Sequence, residues 1–436
     1  MISSIRNIFS IPELKRRILF TLGVLVVYRV GCHVPTPGID ASVLARFFEG
    51  TEGTLLGLVS AFTGGALERM TVFALGIMPY ISASIIMQLL KVVYEPVERM
   101  SKEGEEGRKQ ITKWTRYGTI FLSIIQGTGI AVGLQTMTGP AGEPVVPFPG
   151  LGFILLTVIT LTAGTAFIMW LGEQITERGV GNGISLIIFA GIVANIPSAI
   201  VNSIRLLRTG AISPAVLGAI LLLMFAAVAA IVFMERGQRR LPIHYAKRVV
   251  GMRSYGGQTS HLPLKVNMAG VIPPIFASSI IMFPATVATM VDVPWVQSLS
   301  AHLTPDRLVY NLFFVALIIF FCYFYTAVTF NPVDVADNVK KQGGYIPGIR
   351  PGKATAEFID TVLGRLTFAG AIYISVVCVL PTVLIGYYNV PFYFGGTSLL
   401  IVVGVGMDTA AQIEAHLISR SYEGFMKGVT LKGRRG

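Results

Sequence analysis

Apolar residues in this chain gather into ten runs of roughly 20 residues, the length that crosses about 30 Å of hydrocarbon as a helix. They cover 18–34, 72–94, 117–135, 151–171, 184–203, 212–234, 268–290, 308–330, 366–388 and 396–416. None has the short alternating pattern of a half-buried strand, so they predict an all-α polytopic membrane protein with ten transmembrane helices. One further stretch, 55–70, is apolar but broken by Gly57, Gly64, Gly65, Glu68 and Arg69. It predicts a short half-helix re-entering the membrane, a form tolerated only where protein or water surrounds it. In the first 17 residues, Ile2, Ile5, Phe9 and Ile11 lie near helical spacing among basic residues. That pattern suits an interfacial amphipathic helix or a frayed start.

Composition agrees with the pattern. Of 436 residues, 53% are hydrophobic and 13% charged, about half the charge of a typical globular chain; mean hydropathy is +0.67. The cysteines, Cys32, Cys322 and Cys378, are scattered singly through apolar segments and form neither a disulfide framework nor a metal spacing. Lys15-Arg16-Arg17 leads into the first apolar run with no small-residue cleavage pattern after it, so that run is expected to be a retained helix.

The runs are related to one another. Gly76-Ile-Met-Pro-Tyr-Ile-Ser-Ala-Ser-Ile-Ile-Met87 is echoed by Gly270-Val-Ile-Pro-Pro-Ile-Phe-Ala-Ser-Ser-Ile-Ile281. Without a gap, Gly76 meets Gly270, Pro79 meets Pro273, Ile81 meets Ile275 and Ser84 meets Ser278. A second echo joins Gly183–Gly191 to Gly396–Gly404, aligning Ser185 with Ser398 and Ile188 with Ile401. Span two thus pairs with span seven, and span five with span ten. Five is odd, so two five-helix halves, 18–203 and 212–416, enter the membrane from opposite sides as inverted repeats. The second echo is offset 19 residues further than the first, which places an insertion between spans seven and ten.

Charge orients the spans. With the N-terminus inside, the segments 1–17, 91–116, 172–183, 235–265, 331–365 and 414–436 carry 29 of the 35 Lys and Arg residues. The opposite side carries five, which predicts both termini inside, with 417–436 a cytoplasmic basic tail. The net charge of +12 therefore describes a basic membrane face. Two inner loops, 235–265 and 331–365, are longer than a helical hairpin needs. Arg239, Arg240, Lys247 and Arg248 lie in the first, and Gly and Pro residues hold Arg350 near Lys353 in a non-helical tip of the second. Anionic lipid would account for the charge; length and turn chemistry point to a docking platform for a large acidic or anionic partner.

Catalytic chemistry is absent: there is no P-loop, no His-Glu-x-x-His and no Gly-x-Ser-x-Gly, motifs that would each name a reaction. The chain offers no enzyme site, no cofactor and no metal site. Glu68, Glu173, Asp292, Asp306 and Glu414 fall near span ends, and Asp408 alone lies within a span, thin support for an ion relay. What the matched helices offer is isoleucine. Ile81 and Ile85 share a face, as do Ile188 and Ile192, with Ile275 and Ile401 as repeat partners. Such a set forms either an apolar constriction that excludes water and ions by dewetting or ordinary packing; Ile184 with Ile188 has the same spacing.

At these residues the chain resembles the SecY family, the central subunits of bacterial protein-conducting channels. Gly76–Ile85, Trp170–Ser185, Glu235–Arg240, His261–Pro273 and Pro347–Gly352 carry the resemblance, which extends over essentially the whole length. It implies a clamshell of two halves around an hourglass pore, with Ile81, Ile85, Ile188, Ile192, Ile275 and Ile401 as the pore ring. The stretch with Phe62, Thr63, Gly64, Gly65, Ala66, Leu67, Glu68 and Arg69 would be the plug. Spans two and seven would flank a lateral gate, with Ser82, Ser84, Gln88, Ser278 and Ser279 as gate candidates. The basic loops would dock the ribosome or the SecA motor, and the small subunits SecE and SecG are implied as partners. Signal sequences and unfolded polypeptides would be the cargo, and a bacterial plasma membrane the location. The rival from the residues alone is an ion-coupled secondary transporter, which also uses inverted repeats and broken helices.

Overall fold

The computed structural model describes residues 11–49, 63–137, 142–210, 213–245, 248–250, 253–255, 259–290, 307–388 and 396–428. In chain order the helices are α1 (Pro12–Gly31), α2 (Ala41–Glu49), α3 (Met78–Val93), α4 (Glu95–Lys102), α5 (Glu105–Thr136), α6 (Leu151–Arg178), α7 (Gly183–Val193), α8 (Ile196–Arg208) and α9 (Pro214–Arg236). Strands β1 (Gln238–Tyr245), β2 (Arg248–Val250), β3 (Arg253–Tyr255) and β4 (Thr259–Lys265) follow. Then come α10 (Ile272–Met290), α11 (Leu308–Thr329), α12 (Pro332–Lys341), β5 (Gly344–Tyr345), α13 (Lys353–Tyr388) and α14 (Gly396–Gly428).

Each of the ten expected spans coincides with a helix. Among the described residues, seven helical stretches are long and apolar enough to cross a membrane, and Met78–Val93 and Ile272–Ile281 are shorter apolar helices. Their apolar side chains also face outward: on α9, Leu222, Phe225 and Phe233 are exposed and Ile231 is buried. A water-soluble helix bundle does the reverse. The fifth span breaks between α7 and α8, where Pro197 has no N–H to donate to the carbonyl four residues back.

Two compact units are resolved, one of residues 1–80, 116–200 and 401–436, the other of 81–115 and 201–400. In the first, α1, α6 and α7 pack together. A core of Val43, Leu44, Leu67, Met70, Ala131, Leu134, Val145, Phe153 and Leu161 joins α2 to the segment ahead of α3 and to the adjoining ends of α5 and α6. In the second, α11 packs on α10 and α13, and α12 on α13. There the two long basic loops are not independent. Strands order β4-β1-β5, β1 pairing antiparallel with β4 from Gln238↔Lys265 to His244↔Thr259 and with β5 at His244↔Tyr345 and Tyr245↔Gly344. This ladder, unforeseen in the sequence pattern, buries Leu241, Leu264 and Ile346 against Ile359, Val362 and Leu363 of α13.

The repeat is visible in the backbone. Gly76 and Gly270, aligned by the first echo, have φ of 55° and 62°, a left-handed conformation that suits glycine. Each stands two residues ahead of its helix, α3 or α10. A Cβ on Gly164 would overlap the carbonyl oxygen of Val72, and one on Gly370 would lie 2.9 Å from that of Val266; Val72 and Val266 each precede their left-handed glycine by four residues. At the second echo, a Cβ on Gly183 would overlap the Gly172 carbonyl oxygen, and one on Gly396 the Val377 carbonyl oxygen. The matched glycines let matched helices touch backbone to backbone, span four like span nine and span five like span ten.

Candidate functional site

The segment ahead of α3 is held by specific polar and glycine contacts. From Gly64 to Met70 the chain runs in turns, where a half-helix over 55–70 is expected; positive φ at Gly64, Gly65 and Met70 is incompatible with a continuous right-handed helix, and the rest of that stretch, 55–62 with Phe62, lies outside the described residues. Gly64 has φ +67°, and its carbonyl accepts from Arg29 Nη1 at 2.9 Å. A Cβ at Gly64 would sit 3.0 Å from the Cα and the carbonyl oxygen of Gly191 and 2.9 Å from Arg29 Nη1. The turn thus lies directly on α7, at the residue just before Ile192. Beside it, a Cβ on Gly76 would come 2.8 Å from Thr63 Cγ2. Thr63, Gly64, Gly65, Ala66 and Leu67 are buried, Glu68 is half-buried and Arg69 is exposed. Thr71 N–H and Oγ1 both donate to the Ala66 carbonyl, at 3.0 and 3.3 Å, closing the turn.

The start of α7 is pinned from three elements. Val180 N–H donates to Thr21 Oγ1 of α1 and Gly181 N–H to Gln412 Oε1 of α14, each at 3.0 Å. Gly183 N–H donates to Thr176 Oγ1 of α6 at 2.9 Å. Asn182 Oδ1 then caps the helix, accepting from Ile184 N–H at 3.2 Å and Ser185 N–H at 3.4 Å, which satisfies amides that a helix start leaves unpaired. With that register set, Ile184 lies against Gly172 of α6 and is half-buried, while Ile188 and Ile192 are buried. Ile401, also in this unit, is fully buried at 0% exposure. In the other unit Ile81, Ile85 and Ile275 are buried.

Three of the four serines on the two echo helices have hydrogen-bond partners within those helices. Gln88 Nε2 donates to Ser84 Oγ at 3.2 Å, and Ser82 is half-buried. Ser278 and Ser279 both donate to the Ile275 carbonyl, at 2.9 and 2.8 Å, and are buried.

The two basic loops are joined by the pairing of β1 with β5 in the three-stranded sheet. Arg239 and Arg240 are exposed on β1 opposite Leu264 and Pro263 of β4. Arg350 is exposed just beyond β5, where its carbonyl accepts from Thr355 Oγ1 at 2.9 Å. Lys353, expected in the loop tip, is instead the first residue of α13, 4.0 Å from Glu357. Lys247 lies outside the described residues, and Arg248 opens β2. No group of His, Cys, Asp and Glu able to hold a metal occurs among the described residues.

Two participants were not singled out from sequence. Arg29 was counted only as a charge inside a span; an intramembrane arginine is itself a signal, because it must find a partner. Gly191 was matched to Gly404 without a role, and nothing local to it marks the turn that it receives.

The SecY family model matches residues 71–410. The Protein translocase subunit SecY of Escherichia coli K12 is 53% identical over 428 residues, 97% of this chain and 96% of that protein. A solved SecY whose plug domain stabilizes the closed state of the translocation channel and maintains a membrane seal superposes with a TM-score of 0.66 at 18% identity, covering 95% of this chain and 97% of that one. Sec61 in the canine ribosome–channel complex from the endoplasmic reticulum gives 0.61 at 18% identity, with the same coverage.

Proposed function

The chain belongs to the SecY family, and we infer from that premise that it is the pore-forming subunit of a protein translocation channel. It passes unfolded polypeptides across a membrane and releases apolar segments sideways into lipid. The observation that carries this reading is the near-full-length 53% identity to a protein translocase subunit, together with a buried turn, Thr63–Leu67, seated on the pore-helix candidate α7 through Gly191. The secondary-transporter reading lacks the intramembrane carboxylates that it needs, with Asp408 alone within a span.

In this reading the six isoleucines, Ile81, Ile85, Ile188, Ile192, Ile275 and Ile401, line the path of the moving chain. Branched apolar side chains exclude water when the path is empty and yield around a polypeptide because each turns about its own torsions. The turn from Thr63 to Arg69 is the inner end of a plug that leaves when a substrate enters. Spans two and seven bound the lateral gate. The chain supplies no chemical energy; a motor ATPase of the SecA type or a ribosome drives transport and docks on Arg239 and Arg240 of the sheet and on Arg350 in the segment after β5. SecE and SecG complete the complex, the halves are 18–203 and 212–416, and the channel lies in the bacterial inner membrane with both termini cytoplasmic.

The test is reconstitution of the purified channel complex in proteoliposomes. Added SecA, ATP and a secretory precursor should give protease-protected precursor, and Arg350→Glu should reduce it at least tenfold while leaving the channel folded. Ion-gradient-driven uptake of a small solute without any motor, and no protected precursor, would replace the channel by a carrier.

A further inference from the structure

A cavity of about 550 Å³ opens where span two ends, span eight ends and span nine begins, between α3–α4, α11–α12 and α13. This volume lies within the range of small-ligand sites. Its wall is apolar, with Val92, Ala327, Phe330 and Leu363, while Lys91, Glu98, Lys102, Asp334 and Asp360 stand among its lining residues. Three of these five charges are already engaged. Lys102 Nζ is 2.7 Å from Glu98 Oε1, and Asp334 Oδ2 accepts from Asn331 Nδ2 at 2.8 Å. Among the described residues, Lys91 and Asp360 have no ion-pair partner, one cation and one anion on the same cavity.

A second observation points to a ligand. Thr367 lines the cavity, is 5% exposed, and its hydroxyl has no hydrogen-bond partner among the described residues. Its neighbour in the wall, Thr326, donates to the Cys322 carbonyl at 2.7 Å and is satisfied. A buried hydroxyl without a partner costs free energy, and a polar group of a bound molecule would remove that cost. At the mouth, Val92 and Tyr323 are exposed and continue onto exposed Val93 and Phe320, an apolar surface suited to acyl chains.

We propose that this cavity binds the headgroup of a zwitterionic phospholipid carrying a phosphate and a primary ammonium, of the phosphatidylethanolamine class. Lys91 meets the phosphate, Asp360 accepts from the ammonium, and Thr367 takes a hydrogen bond from or to a headgroup oxygen. A purely anionic lipid would leave Asp360 facing like charge, since carboxylates outnumber lysines on the lining. A quaternary ammonium has no N–H to give Asp360, which separates ethanolamine from choline headgroups. The cavity lies at the ends of three spans, the depth at which headgroups reside.

The experiment uses the purified channel complex in nanodiscs of phosphatidylcholine containing a trace photo-crosslinkable phosphatidylethanolamine, with adducts mapped by mass spectrometry. Adducts should concentrate on 91–102, 323–332 and 360–367. Unlabelled phosphatidylethanolamine should compete at least fivefold better than phosphatidylglycerol. Asp360→Asn and Thr367→Val should each lower adducts there at least threefold without lowering those on α9; an unchanged melting curve shows that the variants fold. Equal competition by all headgroups, adducts unaffected by both variants, or adducts absent from these segments would overturn the proposal. Recovery of a protein subunit crosslinked over the same segments, with no lipid adduct, would assign the cavity to that subunit instead.

Discussion

Gly64 concentrates three demands in one residue: a positive φ of 67°, a carbonyl that accepts from Arg29 at 2.9 Å, and an approach to Gly191 that leaves no room for a Cβ. A non-glycine residue in the left-handed region costs roughly 1–2 kcal/mol, before any overlap with Gly191. The turn is the end of the plug in the proposed channel, so its displacement opens the resting path. Gly64→Ala should therefore raise the ion conductance of the idle channel in planar bilayers about tenfold or more, since about 1.4 kcal/mol is a factor of ten. Arg29→Leu should act in the same direction through loss of the tether. Wild-type conductance in both would detach this turn from the seal. Sequence made Gly64 visible only as one of several breaks in an apolar stretch; its partners, 35 residues before and 127 after, are brought to it by folding.

At the scale of elements, the helices were legible because crossing a membrane demands long apolar runs, and each of the ten runs falls on a helix. Ends were less legible. The third run was read as 117–135, while α5 begins at Glu105, because hydropathy marks the part within lipid and says nothing of a helix that continues into water. The sheet was illegible for a different reason. In β1 only Leu241 and Ile243 are buried, too short an alternation to distinguish from a loop, and the pairing with β5 joins residues about a hundred positions apart. Leu264 is fully buried in this sheet, and Leu264→Ala should cost about 2–5 kcal/mol of local stability. Hydrogen exchange should then rise on β1 and β5 together, and motor binding should weaken although no basic residue has changed; exchange confined to β4 would mean that the loops do not act as one platform. Helix α2 carries a separate prediction. The hydroxyl and N–H of Ser42 and the N–H of Val43 hydrogen-bond Asp40 Oδ1, holding the carboxyl below its ordinary value. A depressed value means that the cap stabilises α2 above the ordinary carboxylate pKa of 3.8 and is lost as pH falls through the folded value. Amide protection at 42–44 should fall on acidification through that window in the wild type, and Asp40→Ala should be unprotected and pH-insensitive across it.

For the whole molecule, family membership carries the function and the internal repeat supplies a reason for its design. Matched glycines give both halves the same backbone crossings: Gly76 with Gly270, Gly164 with Gly370, Gly183 with Gly396. The sequence echoes revealed the first and third of these pairs. The second was hidden because glycine alone, without matching neighbours, is too common to align. The offset between partners grows from 194 residues at Gly76 to 206 at Gly164 and 213 at Gly183. Most of the insertion therefore precedes Gly370, in the segment that supplies β5 and Arg350 to the docking sheet. In the proposed channel, duplicated helices form the path, and the added segment contributes to the face that would receive the motor.

The central claim is that the six isoleucines line the route of the polypeptide. Its most direct measurement places a single cysteine in turn at Ile81, Ile85, Ile188, Ile192, Ile275 and Ile401, with Phe225, 78% exposed on α9, as the outward-facing control. Each variant is tested for disulfide formation with a translocation-arrested precursor carrying one cysteine. The account predicts crosslinks from all six positions, dependent on the motor and ATP, and none from Phe225→Cys. With arrest demonstrated by protease protection, absent crosslinks at the six, or crosslinks as frequent at Phe225→Cys, would contradict it.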